Sequence, residues 1–246
     1  MALREELEKS GVWLFRWRSY LPLVMLGLVI FGLRHFRYPG GSHQWDQVWD
    51  FACFVLSLSG IGVRVAAVGC APKGTSGRNV KNQVADTLTT TGMYSIARHP
   101  LYLGNFLIGL GILLFPRLWW ITLLYVLTFW LYYERIMFAE EEFLRRKFGA
   151  PYLEWADRTP AFFPNLSRWQ PTQMSFSIRW ALKREYASVF GVIAVYTFLE
   201  VAGDFFAEGR LVVDTIWLAI FVTGAVGYAL LRFIGKKTTL LNVEGR

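Results

Sequence analysis

Long apolar stretches alternate with short polar segments along almost the whole chain. An uninterrupted apolar stretch of this kind is typical of a helix that crosses a membrane. Several stretches are at or below the length that a simple span needs, so we expect tilted or partly polar-lined helices. The pattern predicts an all-α, polytopic helical membrane protein with about six transmembrane helices. The six stretches cover roughly 19–33, 48–71, 101–116, 118–139, 187–206 and 211–234.

The polar segments between these stretches indicate which helices pair. Only Pro116 and Arg117 separate the third and fourth stretches, so these two form a tight antiparallel hairpin. The helical pattern of the fourth stretch continues to Gly149, a residue type suited to a helix C-terminus. Residues 1–18 predict an amphipathic surface helix that leads into the first stretch. The start of the third helix and the end of the fourth are therefore expected at the same end of the molecule.

Composition and charge narrow the class of protein. The chain is 54% hydrophobic and only 18% charged, which favours a membrane protein over a soluble one. Most of its 26 lysines and arginines lie in the two terminal segments and in alternate loops, and this asymmetry predicts that both termini are cytoplasmic. The outer loops hold only Arg34, Arg37, Arg117 and Arg210. The net charge of +8 favours contact with anionic lipids, and we expect no nucleic-acid partner.

The chain divides into a core of residues 1–186 and two further helices in residues 187–246. This second part either closes the lipid-facing side of a site or forms a homodimer contact. Its acidic residues Glu200, Asp204 and Asp214 are expected at the membrane interface. The two cysteines lack the spacing of metal ligands, so the sequence predicts neither a metal site nor a disulfide framework.

A cationic and aromatic segment precedes the third stretch. In "SIARHPLYLG", residues 95–104, Pro100 suits the first position of a helix, where its missing N–H costs nothing. The free N–H groups of that first turn can bind a carboxylate or a phosphate. Tyr102 and Gly104 would let a planar ring pack close to the backbone. The alternative is an ordinary helix start, with Arg98 extending to lipid phosphate.

Acidic residues follow the fourth stretch, and one arginine lies inside the second. Glu140–Glu142 either form a solvated helix turn or hydrogen-bond a ribose, an adenine amine or an α-ammonium group. Arg64 needs a partner, because an unpaired charge in a membrane span costs several kcal/mol. Glu134 could supply that partner, or Arg64 could contact a substrate.

The segments from residue 92 and from residue 140 together resemble a known superfamily. "GMYSIARHPLYLGNFLIGLG" and "EEEFLRRKFGAPYLEWADRTPAFFP" are similar to membrane methyltransferases that include isoprenylcysteine carboxyl methyltransferases and phospholipid N-methyltransferases. The shared pattern is G-x-Y-x-x-x-R-H-P-x-Y-x-G, a hairpin, and then E-E-x-x-L-x-x-x-F-G-x-x-Y. The resemblance covers residues 88–164. The matching residues are Gly92, Tyr94, Arg98, His99, Pro100, Tyr102, Gly104, Glu140, Glu141, Leu144, Phe148, Gly149 and Tyr152.

The resemblance implies S-adenosylmethionine as the methyl donor, bound in a cytoplasmic pocket at the ends of the hairpin helices. The segment from His99 to Gly104 would hold the methionyl part, and Glu140 with Glu141 would hold the nucleoside. The residues implied to bind the cofactor are His99, Pro100, Leu101, Tyr102, Gly104, Glu140 and Glu141. The implied catalytic residues are Arg98, His99 and Tyr102.

Within the superfamily, "GTSGRNVKNQ" followed by "TLTTTGMYSIARHPLYLGNF" is similar to bacterial members that methylate lipid phosphates, such as lipid A 1-phosphate O-methyltransferases. This implies a bacterial inner membrane and a membrane lipid substrate. An anionic phosphate oxygen needs no general base, so His99 would position a reactant instead of removing a proton. The candidate substrate-binding residues are Arg64, Arg78, Lys81 and Arg135.

Other activities stay open at this point. Phospholipid N-methylation would need a base such as His99 or a carboxylate, because the amine must first lose a proton. Isoprenylcysteine carboxyl methylation is a further alternative. Membrane sterol-type reductases that use NADPH resemble the hairpin through a related H-P-N-Y sequence, but Leu101 stands here in place of the asparagine. A non-enzymatic scaffold or transporter component is the last alternative.

Overall fold

The computed structural model of the protein describes residues 2–38, 43–72, 74, 85–172, 174–211 and 213–246. Regular structure within these ranges is helical, as predicted. Short 3₁₀ turns at Leu33–His35 and Leu166–Arg168 accompany the α-helices. The α-helices are α1 (Leu3–Trp17), α2 (Leu21–Gly32), α3 (His43–Gly69), α4 (Met93–Ile96), α5 (Pro100–Leu114), α6 (Trp119–Phe148), α7 (Ala150–Arg158), α8 (Ile178–Glu208) and α9 (Thr215–Lys237).

Four helices in the described part of the chain, α3, α6, α8 and α9, are long and apolar enough to cross a membrane. Helices α1 and α2 meet at an angle of 68°, and together they would make a fifth crossing. Helix α5 is apolar but has only 15 residues, fewer than a straight crossing needs. The predicted stretches 19–33 and 101–116 therefore contain short helices, and the count of six is not confirmed.

Helices α3 and α5 pack with their backbones in close approach. A Cβ on Gly60 would lie 2.5 Å from the carbonyl oxygen of Gly104, and a Cβ on Gly104 would lie 2.8 Å from that of Gly60. Ser57 adds a hydrogen bond across the same interface, donating to the carbonyl oxygen of Ile108 at 2.9 Å. These contacts fix the depth of α5 relative to α3.

The predicted hairpin is formed by α5 and α6. Residues 115–118 connect the two helices, and Arg117 takes a left-handed conformation with φ of 58° in this tight turn. The rings of Tyr102 and Tyr133 pack across the hairpin with their centroids 4.9 Å apart. Helix α6 ends where Gly149 adopts φ of 60°, as the sequence predicted. The start of α5 consequently lies beside the last turns of α6.

Helix α1 packs along the second half of α6. Gly11 is buried there, and a Cβ on it would collide with the backbone carbonyl of Arg135. Arg4 donates a hydrogen bond to Glu142 at 2.5 Å, while Trp13 on the opposite face is exposed. The helix is therefore amphipathic, as predicted, but its buried face covers α6 and does not merely rest on a membrane surface.

Helices α8 and α9 form a second antiparallel pair, and α8 also packs against α3. Because α8 is continuous over Ile178–Glu208, the proposed division between residues 186 and 187 falls inside one helix. Glu200 and Asp204 are each only 2% exposed, so both carboxyl groups lie inside the helix bundle, and their position at the membrane interface stays a prediction. Asp214 caps α9 by accepting a hydrogen bond from the backbone N–H of Ile216 at 2.8 Å.

Candidate active site

A strap of residues 159–170, which follows α7, holds the segment before α5. The backbone N–H groups of Arg98 and His99 donate to the carbonyl oxygens of Pro160 and Ala161 at 2.9 and 3.1 Å. Two further backbone hydrogen bonds join the strap to the α4 region. The motif before α5 and the sequence after α6 therefore form one structural unit, although a whole hairpin separates them along the chain.

Five side chains meet where the start of α5 faces the end of α6. His99 places Nε2 3.0 Å from Glu141 Oε1 and Nδ1 3.5 Å from Glu140 Oε2. The Tyr102 hydroxyl donates to Glu140 at 2.6 Å. Arg98 Nε lies 3.1 Å from Glu141 Oε1. We refer to Arg98, His99, Tyr102, Glu140 and Glu141 as the hairpin cluster.

His99 lies between the two carboxylates, and its side chain is only 6% exposed. Burial by itself lowers the pKa of His99, but hydrogen bonds and charges from Glu140 and Glu141 outweigh it, so the pKa is raised above its ordinary value of 6.5. In the imidazolium form both ring nitrogens are donors, and each faces a carboxylate oxygen. With both ring nitrogens directed at carboxylates, His99 is placed to hold Glu140 and Glu141 in position.

Arg64 is paired with residues that the sequence did not single out. Its Nε and one terminal nitrogen donate to the two oxygens of Glu185 at 2.9 and 2.8 Å. Its other terminal nitrogen donates to the side-chain oxygen of Asn105 at 2.6 Å. Glu134, the suggested partner, is exposed on α6. The sequence did contain a signal for this role, because Glu185 is an acidic residue just before an apolar stretch. An acidic residue at such a place can compensate a buried cation.

Gly104 faces α3. A Cβ there would lie 2.5 Å from Cγ of Arg64, so the missing side chain is required for helix packing. Pro100 occupies the first turn of α5, as predicted, and Leu101 follows it half-buried. The direct contacts of these three residues with a cofactor stay predictions.

The predicted substrate-binding cations lie in different places. Arg135 donates to the carbonyl oxygen of Leu131 on its own helix at 2.8 Å. Arg78 and Lys81 lie outside the described residues. Neither Arg64 nor Arg135 is placed in the hairpin cluster, and the roles of all four residues in substrate binding stay predictions.

The chemistry of the hairpin cluster fits S-adenosylmethionine. The carboxylates of Glu140 and Glu141 are each 24% exposed and can accept hydrogen bonds from ribose hydroxyls or an α-ammonium group. Arg98 adds a cation to the cluster: its Nε lies beside Glu141, and its guanidinium carries further N–H donors that can bind an anionic group. By contrast, no group of three or more His, Cys, Asp or Glu side chains within the described ranges is arranged to hold a metal ion.

Comparison with known families gives this region an assignment. Residues 54–151 match the family model described as phospholipid methyltransferase. These residues resemble that family, and we call them the methyltransferase domain after this match. The methyltransferase domain includes all five members of the hairpin cluster and extends from within α3 to the first turn of α7. Helices α8 and α9 lie outside the match.

Three relatives resemble larger parts of the chain. The nickel-cobalt-cadmium resistance protein NccN of Alcaligenes xylosoxydans xylosoxydans is 35% identical over 61% of this chain and 64% of its own length. The cobalt-zinc-cadmium resistance protein CzcN of Cupriavidus metallidurans is 37% identical over 61% and 63%. The chain thus covers less than two thirds of either relative.

The third relative carries the name of an enzyme. Protein-S-isoprenylcysteine O-methyltransferase B of Arabidopsis thaliana is 27% identical over 52% of this chain and 64% of its own length. No solved structure matches the chain.

Proposed function

We propose that the protein is an integral membrane methyltransferase that uses S-adenosylmethionine to O-methylate the anionic phosphate head group of a membrane lipid. The observation that carries this proposal is the hairpin cluster, in which two partly exposed carboxylates meet Arg98 and His99 at one end of a bundle of apolar helices. The phospholipid methyltransferase domain supports the same reaction class. Membrane-crossing helices around the cluster favour an acceptor that is itself part of the membrane.

Each member of the cluster has a role that its chemistry permits. Bound S-adenosylmethionine would supply an electrophilic methyl group, which an acceptor oxygen takes in line as the carbon–sulfur bond breaks and its electron pair stays on sulfur. Glu140 and Glu141 would bind the polar hydroxyl and ammonium groups of the cofactor. Arg98 would bind an anionic oxygen, of the cofactor carboxylate or of the acceptor. Tyr102 holds Glu140 through its 2.6 Å hydrogen bond.

The contacts of His99 favour an anionic acceptor over an amine. A phosphate oxygen already carries the electron pair that attacks, so the transfer requires alignment and no base. An ammonium head group would first have to lose a proton, and both ring nitrogens of His99 already face carboxylate oxygens of Glu140 and Glu141 instead of open space where an amine could bind. We therefore assign His99 a positioning role between the two carboxylates.

Transfer of a radiolabelled methyl group from S-adenosylmethionine into a bacterial total lipid extract tests the proposal. We expect the label in a lipid whose methyl group is lost on cleavage of the phosphate ester. Label in an amine head group, or in protein as a base-labile methyl ester, would overturn phosphate O-methylation. Calorimetric binding of NADPH but not of S-adenosylmethionine would overturn the methyltransferase assignment for the whole protein.

A matched pair of variants on α6 tests the role of the cluster. Glu141→Gln removes a carboxylate that contacts Arg98 and His99, and we expect affinity for S-adenosylmethionine to fall at least tenfold. Glu134→Gln makes the same change at an exposed position of the same helix, where we expect affinity and transfer to stay at wild-type levels. Equal effects of the two substitutions would remove the cluster from cofactor binding.

A further inference from the structure

A cavity of about 410 Å³ lies between α8 and α9, on the side that α3 and Phe176 close. Its lining is aliphatic, aromatic or glycine except for Glu185 and the hydroxyl-bearing rings of Tyr186 and Tyr228. Both helices are of membrane-crossing length, so the cavity lies among segments that lipid chains surround. A volume of this size is within the range of small-molecule sites.

Two glycines of α9 explain why the cavity stays open while the helices still touch. A Cβ on Gly224 would lie 2.9 Å from Ile193 of α8, so this glycine lets the two helices approach. One turn later, a Cβ on Gly227 would meet no atom within 4 Å. The helices are therefore close at Gly224 and leave space at Gly227.

The cavity has a cationic group at one rim. Arg232 is exposed on α9, and its guanidinium donates to the hydroxyl of Tyr228, a lining residue, at 2.7 Å. Lys236 and Lys237 follow in the last turn of the same helix. A hydrocarbon chain gains little by leaving other lipid chains, because these are equally apolar. Selective binding at this cavity therefore needs its charged rim, which fits an anionic head group.

A polar connection joins the opposite wall of the cavity to the methyltransferase domain. Glu185 lines the cavity and binds Arg64 through both oxygens. Arg64 also binds Asn105 of α5, and its Cγ packs against Gly104, one turn from the start of that helix. A ligand in the cavity would therefore lie against the structural support of the hairpin cluster.

We propose that this cavity binds one hydrocarbon chain of an anionic phospholipid, with Arg232 attracting its head group, and that this lipid is the methyl acceptor. The identity of the lipid as acceptor rests on the function proposed above. Binding of the chain does not rest on it and is measured separately. The proposal gives α8 and α9 a task that the methyltransferase domain alone does not contain.

Filling the cavity at Gly227 tests chain binding directly. The probe is a phosphatidic acid with a photoreactive diazirine in one acyl chain, incorporated into phosphatidylcholine nanodiscs that contain the full-length protein. In the wild type we expect crosslinks to lining residues of α8 and α9. We expect Gly227→Leu to reduce them and Gly227→Phe to reduce them at least tenfold, because the new side chain occupies the open space.

Gly191→Phe is the matched control. Gly191 lies on the exposed surface of α8, outside the cavity lining, and a Cβ there also meets no atom within 4 Å. We expect its crosslinking and its thermal unfolding midpoint to match the wild type. Unchanged crosslinking in a folded Gly227→Phe protein would overturn the cavity as a lipid site. Crosslinks from the same probe to a second copy of the chain would do so as well.

Charge selectivity and turnover test the rest of the proposal. With wild-type protein we compare crosslinking by the phosphatidic acid probe and by a phosphatidylcholine probe. We expect Arg232→Gln to lower the ratio of the two at least fivefold. We expect Gly227→Phe to raise KM for a long-chain acceptor while affinity for S-adenosylmethionine stays constant. Loss of crosslinking with unchanged KM would overturn the acceptor role. A wild-type protein that crosslinks the probe but transfers no methyl group would instead count against the proposed function.

Discussion

Arg64 and Glu185 form a bidentate pair inside the helix bundle, with side chains only 18% and 5% exposed. Both charges are removed from water, so each depends on the other for compensation, and Asn105 satisfies a further guanidinium N–H. The pair links α3 to α8, and so it joins the methyltransferase domain to the helices outside it.

Removing one member of this pair should strongly destabilise the protein. We expect Glu185→Gln to lower the free energy of unfolding by about 3–5 kcal/mol, because Arg64 keeps its charge without a counter-charge. Thermal unfolding in detergent measures the loss. A double variant, Arg64→Met with Glu185→Leu, should recover most of it, since it buries no charge. A single variant as stable as the double one would contradict this account.

His99 makes stability depend on pH. Its pKa in the folded protein is raised by Glu140 and Glu141, so the folded state holds the proton more tightly than the unfolded chain. The stability contributed by His99 is therefore fully present below its ordinary pKa of 6.5 and is lost as pH rises through the raised pKa. Replacing His99 with Gln should lower the unfolding midpoint most near pH 6. The gap between the two proteins should shrink as the pH increases, and a gap that widens would contradict the sign.

At the scale of the elements, the close approach of α3 and α5 determines where the site lies. Gly60 and Gly104 bring the backbones of α3 and α5 so close that no side chain fits between them. The short α5 cannot be shifted along α3, because a shift would place a side chain at this point of contact. The strap then fixes the segment before α5, and the tight turn at residues 115–118 fixes α6 beside it. The hairpin cluster depends on these three constraints together.

Two glycines of α3 allow the effect of helix packing on stability to be measured apart from the effect of helix propensity. We expect Gly60→Ala to destabilise the protein by about 2 kcal/mol or more, because its Cβ would collide with the backbone of α5. Gly62→Ala, where a Cβ meets no atom within 4 Å, should be neutral or stabilising by up to about 1 kcal/mol. Equal midpoints in thermal unfolding would show that the two helices do not pack as described.

For the whole molecule, α8 belongs to the same core as the methyltransferase domain, whereas α9 is peripheral. Tyr196 of α8 is fully buried, with its hydroxyl 3.0 Å from that of Ser57 on α3. In α9 only Trp217, near the start of the helix, is buried. Both terminal segments lie near the end that carries the site: Arg4 contacts Glu142, and Arg246 donates to the carbonyl oxygen of Gly69.

Two truncations should behave differently for this reason. A chain that ends before α8, at residue 177, leaves Arg64 without Glu185 and opens the core at Ser57, so we expect it to aggregate in detergent. A chain that ends after Gly209 keeps α8, and we expect it to be monodisperse but to lose the lipid crosslinks at the cavity. Size-exclusion chromatography distinguishes the two. A well-behaved chain of residues 1–177 would contradict the dependence of the core on α8.

The sequence by itself determined the helical class, the tight hairpin and the members of the hairpin cluster. Each follows from residues that are near one another in the sequence. The long apolar runs indicate helices, and Pro116 with Arg117 leaves no room for a longer loop between two of them. The spacing of residues around His99 and around Glu141 is a sequence motif. The resemblance to membrane methyltransferases depended on that spacing, and the family match includes the same residues.

Only the tertiary structure decided which residues compensate Arg64, why Gly104 has no side chain, and where Glu200 and Asp204 lie. Charge compensation and close packing depend on residues from helices that are far apart in the chain, and no local pattern specifies their pairing. The cavity between α8 and α9 was not predictable either, because Gly224 and Gly227 shape it only through the helix that faces them.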